Sequence, residues 1–167
     1  MNDIANAITV RMDEMGLRFI RKPILVGDKA MECYGLRKAG TDIDVIICND
    51  DYLSLEKLYP KERKDLYGDL GAVLWPFEIW RSIALLDYDF YKVGAVELDA
   101  ILVVSFERLL FMRVIAREVE KYSADLDLMV EHIYLNRRNR EYIGNAERHI
   151  ASYQKNNGAI FSGNYDD

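Results

Sequence analysis

Ile4, Ile8, Met12 and Met15 recur at spacings of three and four, the apolar stripe of an amphipathic helix over residues 3–16. Asn2 or Asp3 is placed to cap that helix and Gly16 to end it. Pro23 stops helical structure, and the apolar run Ile24-Leu25-Val26 behind it predicts a short strand. After Gly27, residues 28–36 read as a short helix closing at Gly35. The β-branched, mostly apolar run from Asp42 to Cys48 then predicts the clearest strand, ended by a turn at Asn49-Asp50-Asp51.

Farther on the pattern is more mixed. Residues 53–71 are polar and read as helix in pieces, broken at Pro60. Trp75, Pro76, Phe77 and Trp80 suggest a packed aromatic turn, and Tyr88 to Tyr91 an edge strand. Gly94 separates these from a second apolar strand, Ala95 to Val104. Ser105 caps a long helix, SFERLLFMRVIAREVEKY, with Leu109, Met112, Ile115 and Ala116 on its buried face. A further helix starts near Ser123 and carries Leu126, Met129, Val130 and Ile133. Another covers residues 138–155, before a polar tail over 156–167. The expected fold class is α+β, a small mixed sheet in residues 1–104 flanked by helices, with a helical part over 105–155, all in one domain.

Composition narrows the function classes. Half of the 167 residues are hydrophobic and 30% are charged, as in ordinary globular proteins. No apolar run is long enough to span a membrane. The first residues lack the basic start and apolar core of an export signal, so Cys33 and Cys48, the only two cysteines, are expected to be reduced thiols of a cytoplasmic protein. A net charge of −6 argues against wrapping long nucleic acid by charge alone. It suits a partner that brings its own cation, such as a magnesium nucleotide. The basic runs at Arg137–Arg140 and Arg18–Lys22 read more simply as solvated faces. His132 and His149 have no cysteine or carboxylate at zinc-site spacing.

The candidate chemistry lies at Asp42-Ile43-Asp44. Side chains alternate along a strand, so both carboxylates share a face, their Cα atoms roughly 6.5 Å apart, and can converge on a hard cation. Glu97 and Asp99 alternate in the same way on the second strand. Asp99, just before that strand's most apolar part, is the better candidate for a third carboxylate. Gly27 stands between strand and helix, where backbone amides can hold a phosphate, and Lys29 can add positive charge. Two metal ions at such a site would stabilise the entering and leaving oxygens of a phosphoryl displacement.

The run VGDKAMECYGLRKAGTDIDVII resembles the opening motif of the nucleotidyltransferase superfamily, in particular its small prokaryotic and phage-type members. Gly27, Ala30, Gly35, Lys38, Asp42 and Asp44 match that pattern in order. VELDAILVV is similar to the strand that delivers the third carboxylate, and residues 105–129 to the helical region after it. The resemblance covers roughly residues 20–135. It implies a nucleotidyltransferase-like fold and Mg²⁺ held by Asp42, Asp44 and Asp99. It also implies a nucleoside triphosphate bound near Gly27, Asp28, Lys29 and Lys38, and transfer of a nucleoside monophosphate to a hydroxyl on a small molecule, an RNA or a protein. Toxin–antitoxin components are among such proteins. One departure stands out: Asp28 occupies the place of a second Gly or a Ser near the phosphates, which a carboxylate would repel. Lys29 can offset that charge, or Asp28 can turn away to cap the helix. The alternative is a catalytically inactive relative, an antitoxin-like or phage accessory protein that works by binding.

Overall fold

The computed structural model describes residues 1–136, 148 and 151. The chain divides into two compact units, Met1–Leu126 and Asp127–Asp167. Helix α1 (Asn2–Glu14) buries Ala5, Ile8 and Met12. No side chain caps its start, contrary to the expectation for Asn2 or Asp3. Its end is as expected: Gly16 has φ +66°, and the amides of Gly16 and Leu17 return to the carbonyls of Asp13 and Met12. Strand β1 (Ile24–Leu25) leads into α2 (Gly27–Cys33), whose end at Gly35 repeats this device, with Leu36 N–H bonded to Met31 O. Strand β2 (Ile43–Ile46) follows.

Beyond β2 the structure corrects several expectations. Asn49-Asp50-Asp51 does not form a turn but opens helix α3 (Asn49–Leu58), where two acidic residues suit the positive end of the helix dipole. Residues 63–74 are not helical. They form the hairpin of β3 (Arg63–Leu66) and β4 (Asp69–Leu74), turned at Tyr67-Gly68 with φ of +51° and +94°. Two consecutive positive φ values match the twist of a tight hairpin, so the Tyr-Gly pair, not helical periodicity, decides this region. The aromatic stretch supplies β5 (Phe77–Trp80), with the Trp75–Pro76 peptide in cis. A second small hairpin joins β6 (Ser82–Ile83) and β7 (Leu86–Asp87). Tyr88 to Tyr91 lies in helix α4 (Tyr88–Lys92), because the Asp87 side chain accepts a bond from Phe90 N–H and caps it.

The expected strand Ala95–Val104 is instead a hairpin of β8 (Val96–Glu97) and β9 (Leu102–Val103), with Asp99 in the bend. Ser105 caps α5 (Phe106–Ile115) as expected, accepting from Arg108 N–H. The buried face differs, since Arg113 is buried and Ile115 is exposed. The long helix also ends at Ile115, and α6 (Glu120–Asn136) starts after a turn. In the second unit, Asn136 is hydrogen-bonded to His132. The expected helix at 138–155 and the tail lie outside the described residues.

Seven strands form one mixed sheet in the order β3-β4-β5-β2-β1-β9-β8. The pairs β2/β5 and β1/β9 are parallel and the others antiparallel. Ile24, Leu25, Val45, Ile46, Phe77, Ile79 and Val103 are wholly inaccessible. The central strands are thus an apolar floor, each large side chain contributing about 1.5–3 kcal/mol. The described part is a mixed α+β fold with six helices. No described helix is long and apolar enough to cross a membrane.

Candidate functional site

A cavity of about 620 Å³ opens over the polar face of β2 and β5, within the size range of small-ligand sites. Asp42 and Asp44 both line it, as their alternation predicts. Gly27 lines it too, and its positive φ of +63° is one reason only glycine serves there. The other is contact: a Cβ at Gly27 would collide with the Asp44 carboxylate.

The structure places the remaining expected residues differently. Asp99 is exposed and lines a separate cavity with Asn2, Lys22 and Glu97. Glu97 is bonded to Lys22 Nζ at 2.8 Å. The third carboxylate beside Asp42 and Asp44 is Glu78, which pairs in register with Asp44 across the parallel β2/β5 ladder. Paired residues project from the same face, which brings Asp44 and Glu78 together. Lys29 does not line the cavity and bonds Glu32 at 3.2 Å, and Lys38 is exposed. The cations that do line it are Lys64, Arg113 and Lys121.

Asp44 is crowded by negative charge. Burial, and then the charges of Glu78, Asp42 and Asp28, push its carboxyl up to about 6, against a weak opposing bond from Trp80 Nε1–H at 3.4 Å. Lys64 is bonded to Glu78 at 2.7 Å and sits 5.2 Å from the centre of the Trp80 ring. Carboxylate oxygens are the donor type that suits magnesium, and among the described residues no lysine or arginine forms an ion pair with Asp42 or Asp44, Lys64 pairing with Glu78 instead. Among the described residues no group of three His, Cys, Asp or Glu side chains stands at ligating distance. The donor set therefore fits a cation held by two carboxylates, with Glu78 engaged by Lys64.

Asp28 does not turn away to cap α2. Its carboxylate accepts from Arg37 Nη2 at 2.8 Å and Arg113 Nη2 at 3.2 Å, and meets Lys121 Nζ at 2.7 Å. Arg37 and Arg113 also grip Asp125, Arg37 through Nε at 2.5 Å. Arg113 Nε lies 2.9 Å from Asp125 Oδ2, though not aligned as a hydrogen bond. Burial pushes Asp28 upward, but the bonds and charges of Arg37 and Lys121 outweigh it and hold the carboxyl below its ordinary range. The departure at Asp28 thus has a structural account: its repulsion toward an anion is met by three cations.

The far end of the cavity is apolar. Leu66, Tyr67, Ile83, Ala84 and Leu85 line it from the two hairpin turns. Asp69 fixes the second turn by accepting from Ser82 Oγ–H, Ala84 N–H and Leu85 N–H at 2.8, 2.6 and 2.8 Å. No family model matches the chain, and neither a curated protein nor a solved structure matches it.

Proposed function

We propose that the chain is a magnesium-dependent nucleotidyltransferase with a nucleotidyltransferase-like fold, moving a nucleoside monophosphate from a nucleoside triphosphate to a hydroxyl acceptor. The observation that carries this reading is the set Asp42, Asp44 and Glu78 on two adjacent parallel strands, with Gly27 pressed against Asp44 in the same cavity. Glu78 takes the role first given to Asp99. Asp42 and Asp44 would hold the magnesium, which when bound neutralises triphosphate charge and makes the α-phosphorus more electrophilic. Lys121, half exposed at the cavity wall, offers a cation to the phosphates. Glu78, through the carboxylate oxygen that Lys64 does not hold, would take the acceptor's proton. The acceptor oxygen bonds to the α-phosphorus, the bond from that phosphorus to the bridging oxygen breaks, and pyrophosphate departs.

A second reading, a catalytically idle fold that works by binding a partner, as an antitoxin-like or phage accessory protein does, is favoured by Asp28. That carboxylate engages Arg113 and Lys121, two of the three cations that line the cavity. A thermal-shift titration with each Mg²⁺–nucleoside triphosphate separates the two. Ligand at 100 times its dissociation constant adds about 2.7 kcal/mol, or roughly 5–11 °C for a chain of this size. The transferase reading requires that shift in the wild type and its loss in Asp42→Asn/Asp44→Asn. It also requires that Glu78→Gln keep nucleotide binding and lose turnover. No shift with any nucleotide favours the idle fold.

A further inference from the structure

Only three non-glycine residues of the described chain have positive φ: Tyr67 at +51°, Ala84 at +55° and Leu85 at +61°. All three line the cavity that holds Asp42 and Asp44. Bulky side chains rarely adopt this backbone, and the residues that suit such turns are Asn, Asp and Gly. Two of the three are also costly in solvent, since Tyr67 is 95% and Leu85 71% exposed. Strain and exposed apolar surface coincide at one place, the mark of a surface kept for a ligand.

The two turns form one unit. Leu85 packs on Gly68 of the first hairpin, where an added Cβ would stand 3.0 Å from its Cδ2. Asp69 holds Ala84 and Leu85 by their amides. Those amides are therefore spent, and the unit presents apolar and aromatic surface with few groups to read polar edges. Strand register sets its distance from the chemistry: Val73 of β4 stands two strands, about 10 Å, across from Asp44, and the first turn begins four residues farther along β4, so it lies roughly 15 Å or more from Asp44 in the same cavity. Glu78 stands beside Asp44 one strand nearer to β4, and lines the same cavity as the turns. Gly27, Arg113 and Lys121 lie on the opposite side of Asp44, where phosphates would sit. The cations of β3 are occupied, Arg63 by Glu56 and Asp65 and Lys64 by Glu78, leaving neither to follow a phosphodiester backbone.

We infer that Leu66, Tyr67 and Leu85 form an acceptor subsite for an uncharged hydroxyl compound with a flat apolar body. This rests on the transferase reading for the word acceptor, and on the turns alone for the subsite. The probe is 2-naphthalenemethanol, followed by ligand-observed NMR with wild type, Tyr67→Asn and Leu85→Asn, with Mg²⁺–ATP and a ten-nucleotide oligothymidine in parallel. Asn suits both turns, so each variant should melt at the same temperature as wild type or roughly 2–4 °C higher, and misfolding cannot explain a loss. Saturable binding of the probe that weakens about tenfold in both variants, with Mg²⁺–ATP affinity unchanged, is the expected result. Absent probe binding, or equal affinity in all three proteins, overturns the subsite, while retained Mg²⁺–ATP binding would leave the transferase reading standing. Probe binding without Mg²⁺–ATP binding keeps the subsite and removes the transferase reading. Displacement of the probe by the oligonucleotide overturns the uncharged class in favour of nucleic acid.

Discussion

Asp28 and Asp44 line the same cavity, and burial pushes both carboxyls upward, yet they end on opposite sides of their ordinary range. Around Asp28, three cations (Arg37, Arg113 and Lys121) face two carboxylates, Asp28 and Asp125. Around Asp44, three carboxylates share one lysine, which is bonded to Glu78 and not to Asp44 itself. The first region is saturated within the chain and ties α2 to α5 and α6. The second keeps net negative charge that, among the described residues, one lysine does not offset. Such a cluster costs stability unless a cation from outside completes it. The contrast separates a carboxylate that holds the fold from one that waits for a ligand.

The largest effect should come from breaking the saturated side. Asp28→Ala leaves Arg113, only 4% exposed, with one fewer carboxylate among three cations. Removing one partner of a buried ion pair costs about 3–5 kcal/mol. Urea unfolding should show that loss, and a melting temperature lower by roughly 6–20 °C. A loss under about 1 kcal/mol would mean that the network is not the lock described here.

Changing the unsaturated side should act in the opposite direction. Asp44 has its folded pKa raised to about 6 from 3.8, so the native state binds that proton more tightly than the unfolded chain does. Its contribution is therefore in place below pH 3.8 and is lost as pH rises through 6. At neutral pH the cost is up to about 3 kcal/mol. Asp44→Asn removes the charge at constant shape and should stabilise the protein by about 1–3 kcal/mol at pH 7.5, with no gain at pH 3.5. For Asp28 the sign is reversed, since its depressed pKa gives stability that is kept above 3.8 and lost only in stronger acid. A destabilised Asp44→Asn at pH 7.5 would show that Asp44 is already compensated and would remove the comparison.

How much of this could be read from sequence follows from locality. Asp42, Asp44 and Gly27 were legible because strand alternation and a glycine between strand and helix are local signals. Glu78 was missed because Pro76 and the two tryptophans read as a turn. The signal lay in Phe77 and Ile79 alternating with Glu78, the pattern of a half-buried strand after a proline. Asp99 was misplaced because a ten-residue apolar run looked like one strand, where the chain reverses at the bend and forms a hairpin. Tyr67 and Lys64 fell in a polar segment whose only hairpin mark is Tyr-Gly. The partners of Asp28 lie up to 93 residues along the chain at Lys121, a pairing that no periodicity encodes.

The finest test concerns Trp80, whose ring N–H favours the ionised form of Asp44. Trp80 Nε1–H donates to Asp44 Oδ1 at 3.4 Å, a long bond and therefore a weak one. Trp80→Phe keeps most of the apolar packing over β5 and removes the donor. A metal ion needs Asp44 ionised, so Mg²⁺ affinity should rise with pH through about 6 in the wild type. In Trp80→Phe that midpoint should move upward by less than about one pH unit, because a single weak hydrogen bond to a charge is worth under about 1.4 kcal/mol. Isothermal titration of Mg²⁺ between pH 5 and 8 would read the shift directly. A midpoint that moves downward would assign Trp80 a different role, excluding water from Asp44 and so raising its carboxyl, and burial would then act through this ring.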